Sequence, residues 1–223
     1  MNVVCELSGG ADSALAAIYA RRKYSASFYC LFVDYGQPYA EKEHEASLRL
    51  VTKIFDNAIW RRVVFRGLFS ESTAAYGNQV ASEYFPLRNL VISAVAASLA
   101  VSVQASVIVN GSKSLSRVPT DAYSFRDSTL PFYKMMEAAV NSAVEEGHIT
   151  IDPILADGRD QKMKKEHVYL ELMHNGIQPE ETWSCYHPVR ITKEFEPAGT
   201  LEPCGKCRNC LEKKQIVQAL MIR

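Results

Sequence analysis

Two groups of residues in this sequence have the types and spacing that chemistry can use. The first is Ser8-Gly9-Gly10-Ala11-Asp12-Ser13, which directly follows the apolar run Asn2 to Leu7. Glycines tolerate positive φ and let several backbone N–H groups converge on one anion. A helix opening behind them adds unpaired N–H groups and a positive dipole end. Ser8 and Ser13 bring hydroxyl donors. The string therefore reads as a phosphate cradle, set against the blander reading of Gly-Gly as a plain strand-to-helix turn. It is neither a Walker A loop, since no Gly-Lys-Ser/Thr follows, nor the dinucleotide fingerprint. Asp12 would repel a phosphate, so it is expected either to cap loop N–H groups or to hold a magnesium ion.

The second group is Cys185, Cys204, Cys207 and Cys210. Two residues separate each consecutive pair of the last three. Thiolates at that spacing reach one ion in tetrahedral geometry, and four of them close a structural zinc site with no open position. Such binding stabilises small modules by roughly 10–16 kcal/mol, enough to fold a tail with little core. An iron–sulfur cluster is the competing metal reading. Cys5 and Cys30 stand alone in apolar runs and read as buried structural thiols.

The elements between these groups must position them. Asn2 to Leu7, Ser27 to Tyr35, Ala58 to Phe65, Ser106 to Asn110 and Ile149 to Asp152 are strand-like runs. Ser27 to Tyr35 is nearly all apolar, as suits a strand buried on both faces of a parallel sheet. Helical patterns cover Ala14 to Arg22, Glu41 to Phe55, Leu90 to Val103, Phe132 to Glu146 and Lys162 to His174. In Glu41 to Phe55 the expected core contacts are Ala46, Leu48, Leu50, Val51 and Ile54. Gly67 to Tyr84 has little periodicity and reads as a long loop over the sheet, of a length usually tied to function. Alternating strands and helices predict an α/β fold with a doubly wound, mostly parallel five-stranded sheet. Ligands then bind beyond the carboxyl ends of the strands, after Leu7, Val33 and Asn110.

Composition narrows the function. The chain has 223 residues, 48% of them hydrophobic, with 25 basic against 25 acidic side chains. No apolar run reaches the roughly 18 residues of a membrane span. Balanced charge weighs against an extended nucleic-acid partner and toward small molecules. The beginning lacks a basic stretch ahead of a long apolar one, which predicts a cytoplasmic protein with reduced thiols.

The loop string resembles the PP-loop of the ATP pyrophosphatase superfamily, whose members split ATP into AMP and pyrophosphate. Four further stretches narrow the resemblance: Asp34-Tyr35-Gly36-Gln37, Phe85-Pro86-Leu87-Arg88-Asn89, Thr182-Trp183-Ser184-Cys185-Tyr186 and Cys204-Gly205-Lys206-Cys207-Arg208-Asn209-Cys210. In this order after the loop they look like 7-cyano-7-deazaguanine synthases, the QueC type, from about residue 3 to 211. The resemblance implies a PP-loop domain over 1–180 and a zinc-binding segment over 181–223, in a homodimer. It implies ATP contacts from Ser8, Gly9, Gly10, Asp12, Ser13, Val33, Tyr35 and Gly111. Arg88, Asn89, Asp121, Asp127, Phe125 and Gln37 are the expected substrate contacts. Asp12, Arg88 and one lysine complete the expected catalytic set; Lys164-Lys165-Glu166 fits the family's Lys-x-Glu best and selects Lys164. A cation at a helix start is oddly placed by the helix dipole, so Arg88 is expected on a phosphate or carboxylate. A carboxylate of Asp121 or Asp127 suits the ring N–H and amine of a guanine-like edge.

The pattern departs from the family in two places. The family's Asp-x-Ser-Gly-Tyr-Pro-Asp-Cys-Arg reads here Asp121 to Thr129, with Ser128 and Thr129 at the Cys and Arg positions. After Tyr-Gly-Gln this chain carries Tyr39 and Lys42 where the family has His and Glu. The implied reaction is adenylation of 7-carboxy-7-deazaguanine by ATP, then ammonia transfer to an amide and a second adenylation to the nitrile. Two other outcomes are carried: an amide ligase of an antiphage system that joins a deazaguanine to a protein amine, and a non-enzymatic zinc-knuckle nucleic-acid binder. A tRNA thiolase would need a reactive cysteine beside ATP, with only Cys5 and Cys30 left to supply it.

Overall fold

The computed structural model describes residues 1–65, 87–113, 126–145, 147–156, 163–193 and 196–222. The expected loop at 67–84 lies outside these residues, as do Lys162, Asp121 and Phe125. Five strands, β1 (Asn2–Glu6), β2 (Ser27–Asp34), β3 (Ala58–Val64), β4 (Ala105–Val109) and β5 (Thr150–Asp152), form one sheet in the order β3-β2-β1-β4-β5. Every neighbouring pair is parallel. The sequence runs outward from β1 in both directions, so the strand order reverses between β1 and β4. This is the doubly wound sheet that the alternation of elements predicts.

The sheet carries a core on each face. Val3, Cys5 and Leu7 pack with α1 (Ala11–Lys23), α2 (Ala40–Ile54) and α5 (Lys165–His174). Val4, Leu31 and Ile108 pack with α3 (Arg88–Ser102) and α4 (Leu130–Ala143). Alternate residues of β1 thus serve opposite faces, as a pleated strand requires. Helix α1 buries Leu15, Ile18 and a run of alanines, which lets it lie close against the sheet. Helix α2 is amphipathic and buries Ala46, Leu50, Val51 and Ile54. Leu48 instead stays exposed, because at 100° per residue it turns away from the Ala46–Leu50 line. Cys5 and Cys30 are buried register partners in β1 and β2.

Three elements have no counterpart in the sequence reading: the antiparallel pair β6 (Val189–Lys193) and β7 (Glu196–Glu202), and the helix α6 (Arg208–Met221) that follows the cysteines. Helix α6 enters the core through Ile216. Among the described residues no helix is long and apolar enough to cross a membrane.

Candidate active site and metal centre

A cavity of about 290 Å³ opens at the carboxyl ends of β1, β2 and β4, where the strand order reverses. Ser8, Gly10, Asp12 and Ser13 line it from one side, Val33, Tyr35 and Gly111 from the ends of β2 and β4, and Arg88 and Asn89 from the start of α3.

The cradle is built as its glycines require. Gly9 adopts φ +84°, and a Cβ there would lie 2.4 Å from the Glu43 carbonyl oxygen. Gly9 therefore sits under the loop, against α2, and shapes it without lining the cavity. Gly111 performs the matching task from β4: a Cβ on it would come within 2.7 Å of the backbone of Asp12 and Ser13. Its absence lets the β4 end press on the first turn of α1. Ser13 Oγ donates to the Gly10 carbonyl at 2.9 Å and lies 3.1 Å from Ser8 Oγ. Gly10 N–H reaches Ser8 Oγ at 3.4 Å. No side chain caps α1, so its first-turn N–H groups are left for a ligand.

Asp12 caps no loop N–H. Its carboxylate lies between two ammonium groups, Lys113 Nζ at 2.9 Å and Lys165 Nζ at 2.6 Å. The Lys165 contact is a hydrogen bond. Lys113 forms an ion pair with the other carboxylate oxygen, Oδ1. Burial works against the charge on Asp12, but Lys165 and Lys113 outweigh it and hold the carboxyl below its ordinary range. Burial likewise opposes the charge on Lys165, and Asp12 more than restores it.

The cavity lysine is Lys165, whereas the sequence reading selects Lys164. Lys164 is the exposed residue preceding α5, and the turn of the helix carries Lys165 inward beside the buried Val168, Tyr169 and Leu172. Gln37 also differs from expectation. Its amide oxygen accepts from Tyr35 N–H at 2.9 Å and its nitrogen donates to Glu43 at 2.8 Å, so it braces the turn after β2 and faces no ligand. Asp34 does the same for Gly36 N–H and Arg62. Asp127 accepts from Asn89 N–H at 3.1 Å, where it caps the start of α3 and does not line the cavity.

Arg88 enters the cavity among tyrosines. Its Nη1 lies 3.3 Å from Tyr35 Oη, and the guanidinium stands 5.9 Å from that ring's centre. Tyr39 and Tyr186 stack nearby with centres 5.1 Å apart. No carboxylate pairs with Arg88 among the described residues, which leaves the cation available to an acid. Glu43 faces the same space, and burial first, with Asp34 adding, pushes its carboxyl up to about 7 against the pull of Gln37 and Arg88.

Sequence reasoning missed most of the opposite wall. Glu6, Asn110 and Tyr133 line the cavity from the α3–α4 side. Trp183, Ser184 and Lys213 close it from the carboxyl-terminal side. Trp183 N–H donates to the Gly9 carbonyl at 2.9 Å, and Lys213 Nζ donates to the Thr182 carbonyl at 2.8 Å. The Trp-Ser-Cys-Tyr string pointed to Trp183. Nothing in the sequence distinguishes Lys213 from its neighbour Lys214 in α6.

The four cysteines come together as their spacing predicts. Their Sγ atoms all lie within 4.8 Å of one another. Cys204 N–H and Cys207 N–H each donate to a cluster sulfur at 3.3 Å, a bond that favours thiolate. A set of four sulfurs with no carboxylate or open position fits a closed structural site for a soft metal. Cys185 follows Trp183 by two residues and Cys210 precedes Lys213 by three, so the cluster ties both cavity residues to one point.

The family described as "Queuosine biosynthesis protein QueC" matches residues 2–221 of the chain. A 7-cyano-7-deazaguanine synthase of Acidobacterium capsulatum is 29% identical, covering 94% of this chain and 88% of its own. A protein of the same name from Prochlorococcus marinus is 27% identical over 94% of this chain and 90% of its own. Among solved structures, a 4-thiouridine synthetase in complex with RNA and bound ATP matches with a TM-score of 0.51 at 15% identity, covering 99% of this chain and 51% of that one. That last likeness concerns the fold alone.

Proposed function

The chain belongs to the QueC family, and from that membership and its cavity we propose an ATP-dependent ligase that adenylates the carboxylate of 7-carboxy-7-deazaguanine. The observation that carries the reading is the uncapped start of α1 behind Gly9-Gly10, with Lys165 in the cavity on one oxygen of Asp12 and Lys113, its side chain buried, on the other. Pyrophosphate is the group such a cradle suits, because it meets N–H donors, hydroxyls and two ammonium groups at once.

Arg88 holds the substrate carboxylate, and the tyrosines around it keep water from competing. A carboxylate oxygen attacks the α-phosphorus of ATP, and the bond from that phosphorus to the bridging oxygen breaks. The leaving pyrophosphate carries away the electron pair and takes Lys165 and Lys113 from Asp12. Ammonia then adds to the acyl carbon, AMP departs, and the proton lost from nitrogen leaves an amide. The amide oxygen attacks the α-phosphorus of a second ATP, a second pyrophosphate leaves, and loss of AMP with two N–H protons yields the nitrile. Zinc is the expected occupant of the cysteine cluster, where it would fix the position of Trp183 and α6. Asp12 does not fit a protein ligand for magnesium, since two ammonium groups already neutralise it.

A second reading rests on Ser128 and Thr129. Thr129 Oγ1 caps α4 by accepting from Phe132 N–H at 3.4 Å, and the Ser128 carbonyl accepts from Ser112 Oγ at 2.9 Å. Both residues serve the turn, and neither offers a thiol or a guanidinium to later chemistry. The reaction that stops at an amide with a protein amine therefore stands beside nitrile formation.

The test is pyrophosphate release from ATP with 7-carboxy-7-deazaguanine, followed by product mass with and without ammonium. Nitrile appears under the first reading, and amide or conjugate under the second. Absence of pyrophosphate in every arm refutes both.

A further inference from the structure

Two cavity residues play no part in the adenylation chemistry, and their placement asks for a ligand. Glu6 and Asn110 stand one step beyond the register pair Cys5–Val109 of β1 and β4. Neighbouring parallel strands carry such partners on the same face, about 5 Å apart. That face is the α3–α4 side, because Val4 and Ile108, two residues earlier on each strand, belong to its core. Both residues line the cavity at the point where the strand order reverses.

Each is incompletely satisfied there. Glu6 Oε1 accepts from the buried Ser93 hydroxyl at 3.3 Å, and Oε2 has no donor among the described residues. Burial raises the Glu6 carboxyl to about 8 against the pull of Ser93. Asn110 is 3% exposed. Its Oδ1 accepts from Ser112 N–H at 3.0 Å, which fixes the amide orientation and leaves Nδ2 buried without an acceptor. A buried amide donor without a partner is rare enough in folded proteins to call for an explanation. Here an under-satisfied carboxyl stands at its side.

We propose that Glu6 and Asn110 read the heterocycle of the acid substrate. Glu6 accepts the ring N–H and the exocyclic amine of a guanine-type edge, and Asn110 Nδ2 donates to the adjacent ring carbonyl. This rests on the deazaguanine-ligase reading above and assigns its specificity. A guanine-type edge presents two donors followed by an acceptor. Its two donors draw Glu6, which burial keeps protonated in the free protein, to the carboxylate that accepts both beside the Asn110 amide donor, its proton passing to solvent. An adenine-type edge puts its exocyclic amine where the guanine-type edge puts its carbonyl, so a donor meets the Asn110 Nδ2 donor whatever the charge on Glu6. Of the aspartates offered for this role by the sequence, Asp127 is occupied at the start of α3. Adenylation itself needs neither Glu6 nor Asn110, so their effect falls on base recognition.

The experiment titrates 7-deazaguanine, which lacks the carboxyl group, into the full-length protein without ATP, with 7-deazaadenine as the control ligand. Glu6→Gln keeps the side-chain shape and replaces one acceptor by a donor. Asn110→Asp keeps the Ser112 contact and removes the donor. Each is expected to weaken 7-deazaguanine binding roughly 10–100-fold, the scale of one buried hydrogen-bonding group left unmatched. ATP titration of the same variants reports that they are folded. Wild-type affinity in both variants, or equal wild-type binding of both ligands, overturns the assignment. Pyrophosphate release measured with 7-carboxy-7-deazaguanine separates the two levels. Loss of base binding in the variants, with no pyrophosphate from the wild type, sinks the ligase and keeps the base assignment. Pyrophosphate release with an unchanged KM for the acid in both variants does the reverse, and a wild type that neither binds nor reacts sinks both.

Discussion

Replacing Asp12 by asparagine separates two roles for this residue, because they predict opposite effects on the empty protein. Lys113 Nζ and Lys165 Nζ contact different oxygens of one carboxylate, at 2.9 and 2.6 Å. With the charge removed, two ammonium groups about 6 Å apart repel by about 2.8 kcal/mol at an effective dielectric constant of ~20. Removing one partner of a buried ion pair typically costs ~3–5 kcal/mol. Asp12 and Lys165 keep 29% and 25% exposure, so solvent and rotamer changes recover part of that. We expect a loss of about 2–4 kcal/mol, or roughly 5–15 °C in Tm for a chain of this size. Pyrophosphate restores the missing anion, so its thermal shift should be larger in Asp12→Asn than in the wild type. A residue kept for magnesium would behave otherwise, since losing a carboxylate from an empty metal site leaves the apo protein as stable or more so. Thermal unfolding with and without pyrophosphate decides. An unchanged apo Tm with a diminished pyrophosphate shift would refute the account of Asp12 as the holder of the two lysines.

Lys165→Met should cut the rate of pyrophosphate release about 10²–10³-fold, the usual loss for one preorganised charge on a developing anion; Lys164→Met, changed at an exposed position, should stay within about twofold in the same assay. Chelation should release one metal ion per chain and weaken ATP binding together with stability, because Trp183 and Lys213 depend on the cluster; metal analysis beside ATP titration checks it, and unaltered ATP affinity in the metal-free chain counts against the coupling. Glu43 is raised from 4.5 to about 7 by burial, so the native state holds its proton more tightly than the unfolded chain. Its contribution is full below pH 4.5 and is lost as pH rises toward 7, at up to about 1.4 kcal/mol per unit. Urea unfolding of Glu43→Gln should therefore show a flatter decline across that window, and a slope equal to the wild type's contradicts the shift.

The α/β frame was legible because its determinants are local. Ser27 to Tyr35 reads as a strand from its own apolar run, and Glu41 to Phe55 reads as a helix from the spacing of Ala46, Leu48, Leu50, Val51 and Ile54. The turn after β1 was legible for the same reason, since Gly9 holds a conformation that other residues enter at a cost. The carboxyl-terminal hairpin and α6 were not. Their short runs carry weak periodicity, and what holds α6 in place is a cluster whose members lie far apart in sequence together with Ile216 in the core.

The choice between Lys164 and Lys165 shows where sequence reasoning stops. Both stand at the start of α5 and the Lys-x-Glu spacing favours Lys164, but a helix turns 100° per residue and only one neighbour can face Asp12. The buried line Val168, Tyr169 and Leu172 fixes that rotation. Lys165 stands three residues before Val168 and four before Tyr169, so it shares their face, while Lys164 turns toward solvent. Glu6 and Asn110 escaped notice through the same kind of gap. Glu6 ends β1 after the apolar Val3-Val4-Cys5 and Asn110 follows β4 after the apolar Val107-Ile108-Val109, and a single polar residue there reads as the strand's exit. Only the pairing of β1 with β4 places the two side by side on one face, and the proposal of a bound base rests on that pairing together with the unpartnered Asn110 Nδ2.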